Sequence, residues 1–268
     1  MDNLYIIKIG GNIIDDEIKL TTFLQSFAAI NGNKILVHGG GKLATKMAEA
    51  MGIQQHLIEG RRITDAATLK IVTMVYAGYI NKNIVAQLQA NRCNAIGLCG
   101  ADANIILAHK RNHPVLNYGF VGDVDTINSV FIKTMIAQKL ALVFAPITHD
   151  EQGQLLNTNA DTIAQELAKA MSTEYEVTLI YSFEKSGVLL DVEDESTVIK
   201  SLNWEQYQKL KTPTSPSGDG GKIFAGMIPK LDNAFAALNS GIKKVIIGKA
   251  EQINDLIAGT TGTTIHHG

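Results

Sequence analysis

Short runs of β-branched residues alternate along this chain with longer segments of helical periodicity. The main apolar runs lie at residues 4–9, 34–38, 95–99, 141–147, 176–181 and 244–247. Helical spacing occupies residues 18–30, 43–51, 65–91, 128–139, 161–171, 204–210, 227–239 and 253–257. Strands that alternate with helices in this way form a mainly parallel sheet covered on both faces. The sequence therefore predicts an α/β fold.

Three other stretches interrupt this alternation. Residues 104–110 and 118–123 read as shorter strands that form an antiparallel flap, and 154–157 and 188–190 read as further short strands. Residues 212–221 are rich in Pro, Ser and Gly, which predicts a mobile loop. A new strand–helix series begins near residues 170–175. We therefore expect an N-terminal lobe over residues 1–172 and a C-terminal lobe over residues 173–268.

Composition excludes several classes of protein. Hydrophobic residues make up 46% and charged residues 19%, and the net charge is −2, with lysines and arginines dispersed, so nucleic acid is not an expected partner. Cys93 and Cys99 match neither a redox nor a zinc motif, so we expect reduced thiols. No run of about 18 apolar residues exists, and residues 1–10 lack signal-peptide features. A cytoplasmic protein with no membrane partner is expected.

Two glycine clusters follow the first two predicted strands. Gly10-Gly11 comes after Lys8-Ile9, and Gly39-Gly40-Gly41 comes after His38. Ligands bind at the carboxyl ends of strands in open α/β sheets, where glycine lets backbone N–H groups approach phosphate oxygens. The simpler alternative is a pair of tight strand–helix turns.

Two common nucleotide-binding motifs are absent. Gly41-Lys42 is followed by Leu43, so this is not a P-loop. The absent GxGxxG argues against a dinucleotide-dependent oxidoreductase.

Five motifs, in order along nearly the whole chain, resemble those of the amino acid kinase family, and within it the branch that acts on N-acetyl-L-glutamate. They are Ile7-Lys8-Ile9-Gly10-Gly11, Val37-His38-Gly39-Gly40-Gly41, Gly60-Arg61-Arg62-Ile63-Thr64, Leu156-Asn157-Thr158-Asn159-Ala160-Asp161 and Gly226-Met227-Ile228-Pro229-Lys230. The chain departs from the family pattern at Ala225, at residues 100–104 and at residues 183–188, where Glu184 stands in place of an aspartate.

The resemblance implies a three-layer αβα sandwich and phosphoryl transfer from ATP, accompanied by Mg²⁺, to the γ-carboxylate of an N-acyl-L-glutamate in arginine biosynthesis. The N-terminal lobe would bind the acyl amino acid and form the contact of a homodimer, and the C-terminal lobe would bind ATP. This chain starts directly with its first strand, so we expect no arginine feedback. Acetyl is the default acyl group, and N-succinyl-L-glutamate is an alternative acceptor because residues 100–123 are unusual. Two rival interpretations are another carboxylate or carbamate kinase of the same fold and a non-catalytic nucleotide sensor on this scaffold.

The resemblance also implies roles for individual residues. Lys8 and Lys230 would neutralise charge on the phosphates, and Asp161 would orient both lysines. The remaining assignments are Gly10, Gly11, Gly39 and Gly40 for phosphate, Gly40, Gly41, Arg62, Asn157 and Asn159 for the acyl amino acid, and Glu184, Gly187, Lys222 and Met227 for the nucleotide. No residue is assigned to a metal.

Several of these residues also have a purely structural alternative. Lys8 could be a snorkelling lysine at a strand end, Lys230 a solvated helix lysine and Asp161 a helix N-cap. Arg62 could lie on the surface, and the two asparagines could form turns. A glutamate carboxylate, with a pKa of about 4.3, is already ionised at neutral pH, so the reaction requires no general base. His38 is therefore predicted to pack or to bond the backbone.

Overall fold

The computed structural model describes residues 1–58, 61–191, 193–211 and 227–267. The predicted loop at 212–221, the nucleotide-binding candidate Lys222, and the motif residues Gly60 and Gly226 lie outside the described residues.

Within the described residues eight strands form the central sheet, and their order is β12-β14-β13-β11-β1-β2-β8-β5. The strands of the chain are β1 (Asn3–Ile9), β2 (Asn33–His38), β3 (Leu57–Ile58), β4 (Arg61–Arg62), β5 (Ala95–Leu98), β6 (Ile106–Lys110), β7 (Gly122–Ile127), β8 (Ala141–Phe144), β9 (Ile147–His149), β10 (Leu155–Asn157), β11 (Glu176–Phe183), β12 (Ser201–Leu202), β13 (Lys244–Lys249) and β14 (Thr263–Ile265). The strands from β5 to β13 in this order are all parallel, which confirms the mainly parallel sheet.

Helices cover both faces of this sheet. They are α1 (Gly11–Ile14), α2 (Glu17–Ala28), α3 (Gly41–Ala50), α4 (Ala66–Thr73), α5 (Asn81–Ala90), α6 (Ser129–Ala137), α7 (Ala160–Met171), α8 (Trp204–Lys211), α9 (Ile228–Asn239) and α10 (Ile253–Ala258). Neighbouring strand residues point to opposite faces, so Ile6 packs into the core under α7 and α9 whereas Ile7 packs into the core under α2 and α5. Two cores on one sheet make the predicted three-layer sandwich.

Side-chain caps explain where several helices begin. The carboxylate of Asp16 accepts hydrogen bonds from the N–H groups at the start of α2, and Asp65 accepts one from Thr68 at 2.7 Å at the start of α4. Asn128 and Asn159 cap α6 and α7 in the same way. None of the helices in the described residues is both long enough and apolar enough to cross a lipid bilayer.

The helix predicted over residues 65–91 is continuous, but its middle turn is wider than an α-helix. Met74–Ile80 forms a π-helical segment between α4 and α5. Such segments are rare and often occur at functional sites. Here the segment carries Tyr76 and Ile80 toward the glycine cluster after β2.

A second sheet, of order β10-β9-β6-β7, contains the predicted flap. β6 and β7 pair antiparallel, as expected, but β7 begins at Gly122 rather than at Tyr118. Residues 118–121 instead run beside other segments, where Gly119 bridges Thr64 and Val121 bridges Asn157. The flap is thereby joined to the segments that carry Arg62 and Asn157.

Two further strand predictions need correction. Residues 188–190 form no strand, and Leu189 makes only an isolated bridge to Val198. The run at 141–147 is divided between two sheets, because Pro146 supplies no backbone N–H to a continuous ladder. The short strands β12 and β14 were not predicted, and β14 runs antiparallel to β13, so the sheet is mixed at this edge.

Candidate active site

The two glycine clusters lie side by side at the carboxyl edge of the central sheet. Ile9, at the end of β1, is in register with His38 on β2 and with Ser182 on β11, so the turns that follow β1 and β2 are neighbours. A cleft of about 410 Å³ opens at this edge. Its lining consists of Lys8, Gly11, Gly39, Gly40, Gly41, Lys42, Thr45, Leu57, Arg62, Tyr76, Arg111, Val121, Pro146, Asn157, Thr158, Asn159, Ala160 and Asp161. Most of the predicted phosphate and substrate residues therefore meet in one cleft.

The second glycine turn has a conformation that only glycine adopts without strain. Gly40 has φ of 141°, and an added Cβ would lie 2.2 Å from Cδ1 of Ile80. Gly39, by contrast, has nothing within 4 Å of an added Cβ. The backbone of the turn therefore packs against the π-helical segment at Gly40, whereas the space around Gly39 is open. Gly10 precedes α1, and an added Cβ there would lie 3.9 Å from the carbonyl oxygen of Ser182.

Lys8 and Asp161 form an ion pair in the wall of the cleft. Nζ of Lys8 lies 2.7 Å from Oδ1 of Asp161, and the two side chains are 18% and 26% exposed. Asp161 lies in the first turn of α7, whose N-cap is Asn159. The structural alternative that made Asp161 the N-cap is therefore wrong, and its carboxylate is directed to Lys8 instead.

Lys230, on α9, faces the same ion pair from the other side. A smaller cavity is lined by Lys8, Asp161, Tyr181, Ser182, Lys230 and Asn233. Burial lowers the pKa of Lys230, and the charge of Lys8 lowers it further, whereas Asp161 and Glu184 act in the opposite direction. The three residues predicted as catalytic therefore converge, and Lys8 and Asp161 belong to the wall between the two cavities.

Arg62 lies beside the start of α3. Its Nη2 donates to the carbonyl oxygen of Gly41 and to Oγ1 of Thr45, each at 2.9 Å, and Nη1 donates to Gln55. Asn157 donates to Oγ1 of Thr64 at 3.0 Å. Both side chains, which are predicted to bind the acyl amino acid, line the cleft. Arg62 is consequently not a surface arginine, which was the structural alternative for this residue.

His38 is fully buried behind the glycine turn. Its Nδ1 bonds the carbonyl oxygen of Gly39 at 2.9 Å, and its Nε2 accepts from Nδ2 of Asn81 at 3.2 Å. Burial lowers the pKa of His38 to about 4, so the ring is neutral at pH 7. The prediction of a packing and backbone-bonding histidine is confirmed.

Among the residues that the structure describes, the cleft combines lysines, two arginines and open glycine turns with one carboxylate, which suits two reacting anions. The sequence pattern of the amino acid kinase family matches residues 3–249. The chain belongs to this family.

Two relatives of this amino acid kinase are closely similar over nearly their whole length. Acetylglutamate kinase from Cytophaga hutchinsonii is 54% identical over 260 residues, which are 96% of this chain and 95% of the relative. Acetylglutamate kinase from Bacteroides fragilis is 50% identical over 253 residues, 94% of each chain. Among solved structures, N-acetylglutamate synthase from Neisseria gonorrhoeae superimposes with a TM-score of 0.78 at 16% identity. The match covers 100% of this chain and 62% of the synthase chain, and at this identity it concerns the fold alone.

Three of the four nucleotide-binding candidates of this amino acid kinase, Glu184, Gly187 and Met227, lie within the described residues. Glu184 is exposed just after β11, and its negative charge acts to raise the pKa of Lys230. Gly187 is buried, and an added Cβ would lie 2.6 Å from Oγ1 of Thr263. Met227 is 8% exposed and belongs to the hydrophobic core. Gly187 and Met227 thus have packing reasons for their identity, and a nucleotide role for them stays a prediction.

Sequence reasoning missed several residues that line the cleft of this kinase. Lys42 donates to Oδ1 of Asn12 and thereby connects the two glycine turns. Its position directly after Gly41 was a signal that could have been used. Arg111 and Tyr76 had no such signal, because only the pairing of β6 with β7 and the π-helical segment bring them to the cleft.

Proposed function

We propose that this chain transfers the γ-phosphoryl group of ATP to the γ-carboxylate of an N-acyl-L-glutamate, with N-acetyl-L-glutamate as the default substrate, in arginine biosynthesis. The observation that carries the proposal is the Lys8–Asp161 ion pair, which lies between the glycine turns and Lys230. The acetylglutamate kinases at 50–54% identity support the choice of acceptor.

The obstacle in this reaction is repulsion between an anionic nucleophile and an anionic phosphate. The γ-carboxylate needs no deprotonation, because its pKa of about 4.3 leaves it ionised. Lys8 and Lys230 neutralise the transferred group from two sides, and Asp161 holds Lys8 in place through a charge-assisted bond. Backbone N–H groups of Gly11 and Gly40 stabilise the phosphate oxygens. Positioning and electrostatics then supply most of the rate enhancement, as in other phosphoryl transfers.

The acyl amino acid occupies the larger cavity in this proposal. Arg62 binds the α-carboxylate through its planar guanidinium, whose donors now contact Gly41 and Thr45. Asn157 and Asn159 also line this cavity and suit the amide and carboxylate of the substrate.

ATP is assigned to the C-terminal lobe, residues 173–268, and the acyl amino acid to the N-terminal lobe, residues 1–172. Glu184, Gly187, Lys222 and Met227 are the proposed nucleotide-binding residues. Mg²⁺ is proposed to arrive with ATP and to be held by phosphate oxygens and water. In the part of the chain that the structure describes, no group of three or more Asp, Glu, His or Cys residues could hold a metal ion.

A cytoplasmic homodimer is the proposed state of the protein. Met74 and Tyr79 are 54% and 63% exposed on the long helix of the N-terminal lobe, and large apolar side chains of this kind support a contact between subunits. Light scattering at micromolar concentration should give the mass of a dimer. A monomer at that concentration would count against this assignment.

Trapping of the product tests the activity directly. The protein is incubated with ATP, Mg²⁺, hydroxylamine and N-acetyl-L-glutamate, and the acyl phosphate is detected as its hydroxamate. We expect hydroxamate with the native chain and a loss of about a thousandfold with Lys8→Met. Carbamate in place of the acyl amino acid serves as the competing acceptor. Consumption of ATP with carbamate alone would favour the rival carbamate kinase.

A further inference from the structure

Lys42 is a cationic side chain of the cleft to which the proposed reaction gives no role. It is the second residue of α3, directly after the glycine turn that ends at Gly41, and it lines the cleft together with Gly11 and Gly40. Its Nζ donates to Oδ1 of Asn12, which is next to Gly11 in α1. The side chain therefore spans the two turns that are proposed to hold phosphate oxygens. Among the described residues Asn12 is its one acceptor, and an ammonium group has three donors, so two remain for a ligand.

Helix stability does not explain a lysine at this position. The N-terminal end of a helix carries a partial positive charge, which favours acidic residues and disfavours cations in the first turn. α3 has no acidic residue in its first turn, and Lys42 adds a further positive charge there. The charge of Lys42 and the dipole of α3 both favour an anion in the cleft.

The positive charge of Lys42 is not matched by a directly paired carboxylate. Within the described ranges Lys42 makes no ion pair, whereas Lys8, which lines the same cleft, is paired with Asp161. The charge of Lys42 does reach Asp15. Burial raises the pKa of Asp15, and Lys42 and Lys46 act in the opposite direction. The ammonium of Lys42 can therefore bind an anionic ligand without first breaking an ion pair.

We propose that Lys42 is a further catalytic residue of this site, and that its ammonium donates to an oxygen of the phosphoryl group as this group passes from ATP to the γ-carboxylate. In that step the bond between the γ-phosphorus and its bridging oxygen breaks, the electron pair leaves with ADP, and a new bond joins the phosphorus to a carboxylate oxygen. Lys42 keeps its proton throughout and offsets the negative charge of the transferred oxygens. This inference rests on the proposed kinase function.

Steady-state kinetics of two lysine variants test the inference. We expect Lys42→Gln to lower kcat about tenfold or more and to change KM for N-acetyl-L-glutamate less than about twofold, because the lost interaction is made with the transferred group. Lys46→Gln is the matched control and should keep native kinetics. Lys46 is exposed one turn later on α3 and also acts on Asp15, but it does not line the cleft. Native kcat in Lys42→Gln, or an equal loss in Lys46→Gln, would overturn the inference. If the native chain forms no acyl phosphate, the proposed kinase function fails instead.

Two more variants separate the charge of Lys42 from its link to Asn12. Asn12→Ala removes the acceptor but leaves the ammonium, so we expect a smaller loss of kcat than in Lys42→Gln. Lys42→Arg keeps the positive charge and should retain more activity than Lys42→Gln. A lysine that only joined the two turns predicts equal losses in Asn12→Ala and Lys42→Gln, and that result would contradict the proposal.

Binding of a mimic of the transferred group gives a readout that is independent of turnover. The mimic is aluminium fluoride, added with ADP and Mg²⁺ in the presence of N-acetyl-L-glutamate. We expect its affinity to fall about tenfold in Lys42→Gln and to stay native in Lys46→Gln. Unchanged affinity in Lys42→Gln would show that the ammonium does not touch the transferred group.

Discussion

Gly40 lies against Ile80 so closely that an added Cβ on the glycine would be 2.2 Å from Cδ1 of the isoleucine. Ile80 ends the π-helical segment between α4 and α5, and Gly40 ends the glycine turn that follows β2. The shape of the proposed phosphate-binding turn therefore depends on a helix that is distant in sequence.

Substitution of Gly40 should damage both folding and catalysis. Gly40→Ala would place an alanine at φ of 141°, which side-chain-bearing residues rarely adopt, and its Cβ would clash with Ile80. We therefore expect the substitution to lower the free energy of unfolding by about 3 kcal/mol. Gly39→Ala is the matched control, because an added Cβ there has open space, and its unfolding free energy should change by less than about 1 kcal/mol. Urea unfolding of both variants measures the difference. Equal destabilisation would show that the contact with Ile80 is unimportant.

The Lys8–Asp161 pair should act as a unit in catalysis. We expect Lys8→Met and Asp161→Asn each to lower kcat, by about a thousandfold for Lys8 and less for Asp161, whereas the double variant should be little worse than Lys8→Met alone. Steady-state kinetics of the two single variants and the double variant give the coupling. Lys19→Met, on the exposed face of α2, should retain native kinetics. The orienting role of Asp161 would be refuted if the double variant lost as much activation free energy as the two single variants together.

Arg62 should influence the acyl amino acid more than ATP. Arg62→Lys keeps the charge but loses the planar fork, so we expect KM for N-acetyl-L-glutamate to rise about tenfold and KM for ATP to change less than twofold. Arg92→Lys, at an exposed arginine outside this cleft, is the matched control. The assignment of Arg62 to the α-carboxylate is wrong if KM for ATP rises as much as KM for the acceptor.

His38 should make folding sensitive to acid. Its pKa is about 4 in the folded protein and about 6.5 in the unfolded chain, so between these values the unfolded state binds more protons. The free energy of unfolding therefore falls as pH drops from 6.5 toward 4, by about 3 kcal/mol in total from this residue. His38→Gln should flatten this dependence. Chemical denaturation of both proteins at several pH values measures it, and identical slopes would contradict the burial of a neutral ring.

Much of the architecture could be predicted because it follows from local periodicity. The strand ending at Ile9, the helix beginning after Asp65 and the helix beginning after Asn159 all have clear local signals in apolar spacing and capping residues. The short strands β12 and β14 do not, because two or three residues have no period to detect. Their pairing depends on neighbouring strands that the fold brings beside them.

The sequence by itself determined that Lys8 lies at the end of a strand and that the glycines follow strands, so that anion-binding groups gather at one edge of a sheet. Only the tertiary structure decided which of them face each other. It directed Asp161 to Lys8 rather than to a helix cap, pressed Gly40 against Ile80, and brought Arg111 into the cleft with its guanidinium held by Asp123. These relationships join residues far apart in the chain, and their geometry is set by the packing of sheet, helix and flap, which local sequence patterns do not encode.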